Sequence, residues 1–270
     1  MIILKQVANP ATSHPFDLTD RGLLLADGVF DTSLVANRRV FLREAHLDRL
    51  MRDTLALDIH CDRHSLEALM DEIVQDAGLF ALRLTVTRGA GGRGLTGISE
   101  SAPTLLARLD ALDPARQFSP VTLRTAAITR NPDSVTTRHK TLAYTDNIMA
   151  ARHALQAGHD DALMLNTQGR IACASSANIF ARFGKRIITP PVSEGALAGV
   201  MRAWLLDALS RSGFDVAEAA ISVSELANAD QVFATNSLRL MAPVSRIDEQ
   251  TYDDTNLGAL VDQLKVAIAV

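Results

Sequence analysis

The side chains and turns that could do chemistry in this chain are few. Lys140, in His139-Lys140-Thr141, stands just before a stretch of helical periodicity. An amine there is a nucleophile or an acid/base if its pocket lowers its pKa, and a solvated surface charge otherwise. Gly195-Ala196-Leu197-Ala198-Gly199-Val200-Met201-Arg202 sets small residues ahead of a helix. Free backbone N–H groups and the helix dipole favour a phosphate at such a place, although many helices begin after glycine for structural reasons alone. Arg88-Gly89-Ala90-Gly91-Gly92-Arg93-Gly94 lacks the spacing and the Gly-Lys-Ser/Thr end of a nucleotide-binding P-loop. Its glycines suit tight turns, and Arg88 and Arg93 could clamp a carboxylate. His60, Cys61 and His64 are zinc-ligand types, but they join two helical stretches and have no fourth ligand nearby, so an exposed turn is the better reading. No serine sits in a Gly-x-Ser-x-Gly elbow, which leaves a serine hydrolase without support.

The elements that must position these groups alternate between helix and strand. Residues 21–37 read as a strand pair, or as a strand bulged at Asp27-Gly28. In 44–57, Leu47, Leu50, Met51 and Leu55 fall at helical spacing, with Arg49, Arg52 and Asp53 around the rest of the cylinder. A second helix over 66–74 ends before Gly78. Phe80, Leu82, Leu84 and Val86 then alternate with polar or small residues as a half-buried strand that runs into the glycine-rich loop. A strand follows at 104–109, and prolines and polar residues interrupt the pattern over 110–120. Beyond it come a strand at 121–130, a helix at 141–157 ended by Gly158, and two strands around the turn 166–169. Asn178–Phe183 is a third strand. A helix starts near Gly199 and stops before Gly213, Ser222 and Glu225 can form a capping box, 231–235 is a strand, and 255–267 a closing helix. This pattern predicts an α/β (α+β) chain in two domains: a small N-terminal α/β domain, 1–113, a linker, 114–122, and a larger C-terminal domain, 123–270. The cleft between them is the expected site.

Composition narrows the function classes. The chain has 270 residues, 47% hydrophobic and 21% charged, too apolar for disorder and without a repeat. A net charge of −4 and no Lys/Arg block argue against a nucleic-acid or anionic-membrane surface, so a small-molecule substrate is expected. No apolar run approaches the ~20 residues of a membrane span, and the N-terminus has no signal-peptide core. Cys61 and Cys173, the only cysteines, give no disulfide framework, and a cytoplasmic location is the default.

Six segments taken together resemble the class IV aminotransferases, pyridoxal-phosphate enzymes of fold type IV. They are Arg21-Gly22-Leu23 through Asp27-Gly28-Val29-Phe30, His46-Leu47-Asp48-Arg49-Leu50, Lys140-Thr141-Leu142, Ser175-Ser176-Ala177-Asn178-Ile179-Phe180, Leu197-Ala198-Gly199-Val200 and Thr235-Asn236-Ser237, in the family's order along most of the chain. Residues 87–95, Arg130-Asn131-Pro132 and 235–238 look most like the 4-amino-4-deoxychorismate lyases of the folate pathway. The resemblance implies a two-domain fold with a barrel-like C-terminal sheet, a homodimer, pyridoxal 5′-phosphate as cofactor and a small amino compound as substrate. Lys140 matches the lysine that links the cofactor as an internal aldimine and moves the proton at Cα, and it would come from the second domain. Arg49, from the first, matches the cofactor-phosphate arginine, joined by the Val200 and Met201 amides, Ser237 and Asn236. The family usually has Thr where this chain has Met201. Arg93 and Thr32 are assigned to the substrate.

Where the family commonly sets a glutamate against the pyridine nitrogen, the same alignment puts Cys173. A carboxylate keeps that nitrogen protonated and the ring a strong electron sink, which a thiol does poorly. Either Cys173 is an active-site variant, or the strand is shifted and the thiol merely buried. A weak sink suits an elimination driven by aromatisation better than a transamination, which must reprotonate its carbanion in both half-reactions. A lyase is therefore the first reading, a D-amino-acid or branched-chain transaminase the second, and a weakly active cofactor-binding paralogue the third. The lack of a His after Arg93 argues against the D-amino-acid transaminases.

Overall fold

A strand that alternates as Leu79–Thr87 does must cover its apolar face, and in the computed structural model helices do so. Residues 2–7, 16–96, 103–255 and 258–269 are described. They fall into two units, Met1–Pro114 with His139–Ala143, and Ala115–Arg138 with Tyr144–Val270. The short segment bearing Lys140 therefore belongs to the first unit, although it lies within the stretch expected for the second domain.

The first unit contains β1 (Ile2–Val7), α1 (Arg21–Leu25), β2 (Gly28–Ala36), β3 (Arg39–Val40), α2 (Arg43–Ala56), α3 (Arg63–Ile73), β4 (Leu79–Thr87) and β5 (Thr104–Ala111). Its sheet runs β1-β5-β4-β2-β3, with β1 parallel to β5 and the other neighbours antiparallel. Leu47 and Leu50 of α2 and Leu66, Leu69, Met70 and Ile73 of α3 pack on Val29, Val35, Leu82, Leu84 and Val86. Asp62 starts α3 by accepting the His64 and Ser65 N–H groups. One expectation fails here: residues 21–25 are a helical turn, not a strand. Asp20 accepts the Gly22 N–H and the Thr87 and Thr104 hydroxyls, each at 2.7 Å, which caps the turn. Leu23, Leu24 and Leu25 stay exposed, so their apolar run does not report burial.

The second unit contains β6 (Val121–Thr125), α4 (Val135–Arg138), α5 (Thr145–Gln156), β7 (Asp161–Leu165), β8 (Ile171–Ala174), β9 (Asn178–Phe183), β10 (Arg186–Thr189), α6 (Val200–Arg211), β11 (Asp215–Glu218), α7 (Val223–Leu226), β12 (Gln231–Asn236), β13 (Leu240–Ile247), β14 (Gln250–Thr251) and α8 (Gly258–Ala269). Its strands form a curled half-barrel in the order β11-β10-β9-β12-β13-β6-β7-β8, with β14 on β13. The expected capping box forms at Ser222 and Glu225. The strand expected over 121–130 stops at Thr125, and beyond it the buried Arg130 donates to Gly195 O, Asn147 Oδ1 and Thr137 O. Among the described residues no helix is long and apolar enough to cross a membrane.

The helix expected from 141 begins only at Thr145. Residues 140–142 are instead extended along the edge of β2 that the two-residue β3 leaves open. Phe30 N–H donates to Lys140 O and Leu142 N–H to Gly28 O, each at 2.9 Å. A side chain at Gly28 would stand 2.5 Å from Val86 O and 2.9 Å from Leu142 Cδ1. Gly28→Ala should therefore lower the unfolding free energy by about 1–3 kcal/mol in a denaturant titration. A variant as stable as the wild type would contradict so tight a seat for this segment.

Candidate functional site

Alternation along β2 sends Asp31 to the face covered by α2, between Val29 and Val35, while Phe30 and Thr32 point to the other face. On α2, His46, Arg49 and Asp53 recur at i, i+3 and i+7 and so share one side of the helix. Arg49 and Asp53, expected around the outer cylinder with Arg52, are buried. Polar residue types suggested solvent, but each of these two has a carboxylate, an imidazole or a backbone partner waiting for it. Arg49 Nε and Nη2 lie 2.8 and 2.7 Å from Asp31 Oδ2, and His46 Nδ1 lies 2.6 Å from Asp31 Oδ1. Burial works against ionising the Asp31 carboxyl, but Arg49 and His46 outweigh it and lower its pKa from 3.8 to about 2. Asp53 receives the Lys140 N–H on Oδ2 at 3.0 Å, and His139 Nδ1 lies 2.9 Å from its Oδ1.

Lys140 itself is half-buried, its Nζ 4.3 Å from the centroid of the Phe30 ring. The Arg83 guanidinium is 3.7 Å from the same centroid. Thr32 stands directly opposite Arg83 in the β2–β4 ladder, so both share the Phe30 face. This face thus gathers an amine, a guanidinium, a hydroxyl and an aromatic ring. The expected substrate arginine, Arg93, is instead exposed in the loop after β4. Arg83 was hidden from sequence reading as one of the polar residues of an alternating strand, and Asp53 and His139 because their contact joins distant positions.

In the second unit, α6 begins at Val200 after Gly199, whose extended backbone supplies no side-chain cap. Val200 and Met201 are buried in its first turn. Asn178 Nδ2 donates to Leu197 O at 2.8 Å, and a Cβ on Gly199 would stand 2.1 Å from Asn178 Oδ1. Asn236 folds its own turn: Oδ1 accepts the Leu238 and Arg239 N–H groups at 3.0 and 2.8 Å, and Nδ2 reaches Ser176 O at 3.2 Å. Its side chain is engaged with backbone, and Ser237 follows it, half-buried. Asn178 and Asn236 thus lace the β8–β9 turn to the start of α6 and to the turn after β12. Cys173 lies in β8 opposite Met164, in an apolar cluster with Ala150 and Ala154 of α5. Burial pushes its thiol pKa up, against the pull of Arg130.

A family model described as Amino-transferase class IV matches residues 28–247. The putative branched-chain-amino-acid aminotransferase of Methanocaldococcus jannaschii is 29% identical over 91% of this chain and 87% of that protein. The aminodeoxychorismate lyase of Bacillus subtilis is 26% identical over 90% of this chain and 84% of its own. Among solved structures, the 4-amino-4-deoxychorismate lyase of Pseudomonas aeruginosa superimposes with a TM-score of 0.86 at 28% identity, covering 96% of this chain and 97% of that one.

Enzymes of that family use pyridoxal phosphate, and the residues present fit such a group. A buried guanidinium held by one carboxylate and a helix N-terminus without a side-chain cap are both anion-binding features, and the position before that helix admits no side chain. Lys140 supplies the amine. Cys173, which the resemblance sets against the ring nitrogen, would be the one poor match there, since a buried thiol is a weak partner for a protonated nitrogen.

Because the Asp31 carboxyl ionises more readily in the folded chain, its pairing contributes fully above the ordinary carboxylate range and is lost as pH falls toward its folded value of about 2. The contribution is about 2 kcal/mol. Unfolding free energies measured between roughly pH 5 and 2 should fall more steeply for the wild type than for Asp31→Asn. Parallel acid limbs would show that this carboxyl is not held as described.

Proposed function

The chain belongs to the class IV aminotransferase family, and we propose that it is a pyridoxal-phosphate lyase that splits 4-amino-4-deoxychorismate into pyruvate and 4-aminobenzoate. The reading rests on Cys173, a buried thiol that the family resemblance aligns with the usual carboxylate. Pyridoxal phosphate, when bound, supplies an electron sink for charge developing at the substrate carbon that bears the amine. A thiol facing its ring nitrogen, as the resemblance implies for Cys173, would leave that sink shallow. An elimination that creates an aromatic ring draws its driving force from the product and tolerates that; reversible proton relocation in both halves of a transamination tolerates it less. The similarity to lyases from Bacillus subtilis and Pseudomonas aeruginosa supports the same choice.

Arg49, fixed in place by Asp31, would hold the phosphate, and the resemblance assigns the Val200 and Met201 N–H groups and Ser237 to the same group. Met201 contributes its amide alone, having no hydroxyl. Asn236 shapes the turn that presents Ser237. Lys140 would hold the cofactor and act as acid/base, taking the proton from the amine-bearing carbon and giving a proton to the enolpyruvyl group, whose oxygen–ring-carbon bond breaks so that it leaves as pyruvate. The atoms of the substrate divide completely between the two products, so no oxo-acid acceptor is consumed. Arg83, beside Phe30 and Lys140, takes a substrate carboxylate, with Thr32 next to it and Arg93 available from the glycine-rich loop.

Three measurements test this reading. Pyridoxal phosphate added to the purified protein should give a visible absorption band that borohydride abolishes and that Lys140→Ala lacks; a wild type that stays colourless removes the cofactor from the account. Aminodeoxychorismate should yield pyruvate and 4-aminobenzoate with no acceptor present. If instead D-alanine or L-leucine converts the cofactor to its pyridoxamine form and 2-oxoglutarate restores it, the chain is a transaminase, as similarity to the Methanocaldococcus jannaschii protein would favour; if neither occurs on a bound cofactor, it is a weakly active paralogue. Cys173→Glu should shift the cofactor spectrum or its pH response, and an unmoved spectrum places the thiol away from the ring.

A further inference from the structure

Asp53 is 1% exposed, and burying a carboxylate is costly unless it is matched on all sides. It sits on α2, the helix that also bears Arg49, one turn and about 6 Å of helix rise earlier. Arg52, its neighbour on α2, lies 3.5 Å from Oδ1, and the closer contacts run to a different stretch of chain: Oδ2 takes the backbone N–H of Lys140 and Oδ1 meets the imidazole of His139, at sequence separations of 87 and 86 residues. The remaining backbone ties of that stretch run to β2, through Phe30 N–H to Lys140 O and Leu142 N–H to Gly28 O. Asp53 is thus the link between the lysine's backbone and the helix that carries the arginine.

We propose that Asp53 is a positioning residue for Lys140, with His139 holding its second oxygen, and that α2 acts as a ruler setting the span between an anion-binding guanidinium and a reacting amine. The inference rests on the proposed roles of Arg49 and Lys140. A molecule gripped by its phosphate at one end and attacked by an amine at the other needs that span fixed, because a displacement of about 1 Å can cost about a hundredfold in rate. The hydrogen bond that Asp53 accepts from the Lys140 N–H fixes the lysine at its backbone. A merely structural Asp53 would stabilise the fold without distinguishing amine placement from phosphate binding.

The two are separated by titrating the full-length chain with pyridoxal 5′-phosphate, quenching with borohydride at intervals and measuring the reduced adduct on the Lys140 peptide by mass spectrometry. The limiting rate reports amine placement and the half-saturating concentration reports the phosphate grip. Asp53→Ala should lower the limiting rate by about tenfold or more while the half-saturating concentration stays within about twofold. Asp53→Asn, which keeps an oxygen for the Lys140 N–H, should recover most of the rate. Trapping at the wild-type rate in Asp53→Ala overturns the inference and leaves the Lys140 assignment standing. Equal loss of rate and affinity in both variants also overturns it, since that marks general damage to α2. Wild-type adduct at another lysine overturns the Lys140 assignment and this inference together.

Discussion

A guanidinium with almost no solvent exposure needs its donors matched, Arg49 has a buried carboxylate for that, and the Asp31–Arg49 pair is the constraint on which the first unit depends. It dictates the register of β2. Asp31 must face α2, which turns Val29 and Val35 into the core and sends Phe30 and Thr32 to the opposite face with Arg83 and Lys140 Nζ. A slip of one residue would bury Phe30 under the helices and leave Arg49 unpaired. Buried ion pairs are weak devices for stability, since apolar residues of similar volume often do as well. A pair retained in a core that Leu47, Leu50, Leu82 and Leu84 already fill is better explained by what the cation is held ready to bind.

On the proposed reading the second unit would meet the phosphate by a different route. It has no comparable buried cation among the residues assigned to the cofactor; it offers backbone. Gly199 brings the start of α6 against Asn178 so closely that no side chain fits, and Asn236 spends its carbonyl on the turn that ends at Arg239 and its amide on Ser176 O. These asparagines organise N–H groups rather than reaching for a ligand themselves. Arg130 performs a similar service, tying Gly195 O, Asn147 and Thr137 O together behind the loop that leads to α6.

Much of this was legible in the sequence wherever the determining interactions are local. The periodicity of α2, α3 and β4, the turn between β7 and β8, the bounds of β9 and the Ser222–Glu225 box depend on neighbours within one or two turns, and the structure has them where the sequence pattern predicts them. The composition of residues 141–143 allows a helix, whereas their extended form is imposed by Gly28 and Phe30 far upstream. Leu23–Leu25 misled in the opposite sense, being apolar yet exposed. Arg49 and Asp53 look like surface residues of an amphipathic helix; only family resemblance singled out the first. Nothing local marks the second, whose partners lie in another part of the chain. Arg93 drew attention through its glycine-rich loop, while Arg83, which stands by the aromatic ring and the lysine, was indistinguishable from any polar strand residue.

The central claim is that Arg49 and Lys140 hold the two ends of one molecule. The most direct measurement is a crystal structure of the protein reduced with borohydride in the presence of pyridoxal phosphate. The account predicts continuous density from Lys140 Nζ into the cofactor, with the phosphate on the Arg49 guanidinium and on the Val200 and Met201 amides. Density joined to Lys5, Lys185 or Lys265, or a phosphate bound away from Arg49, would contradict it.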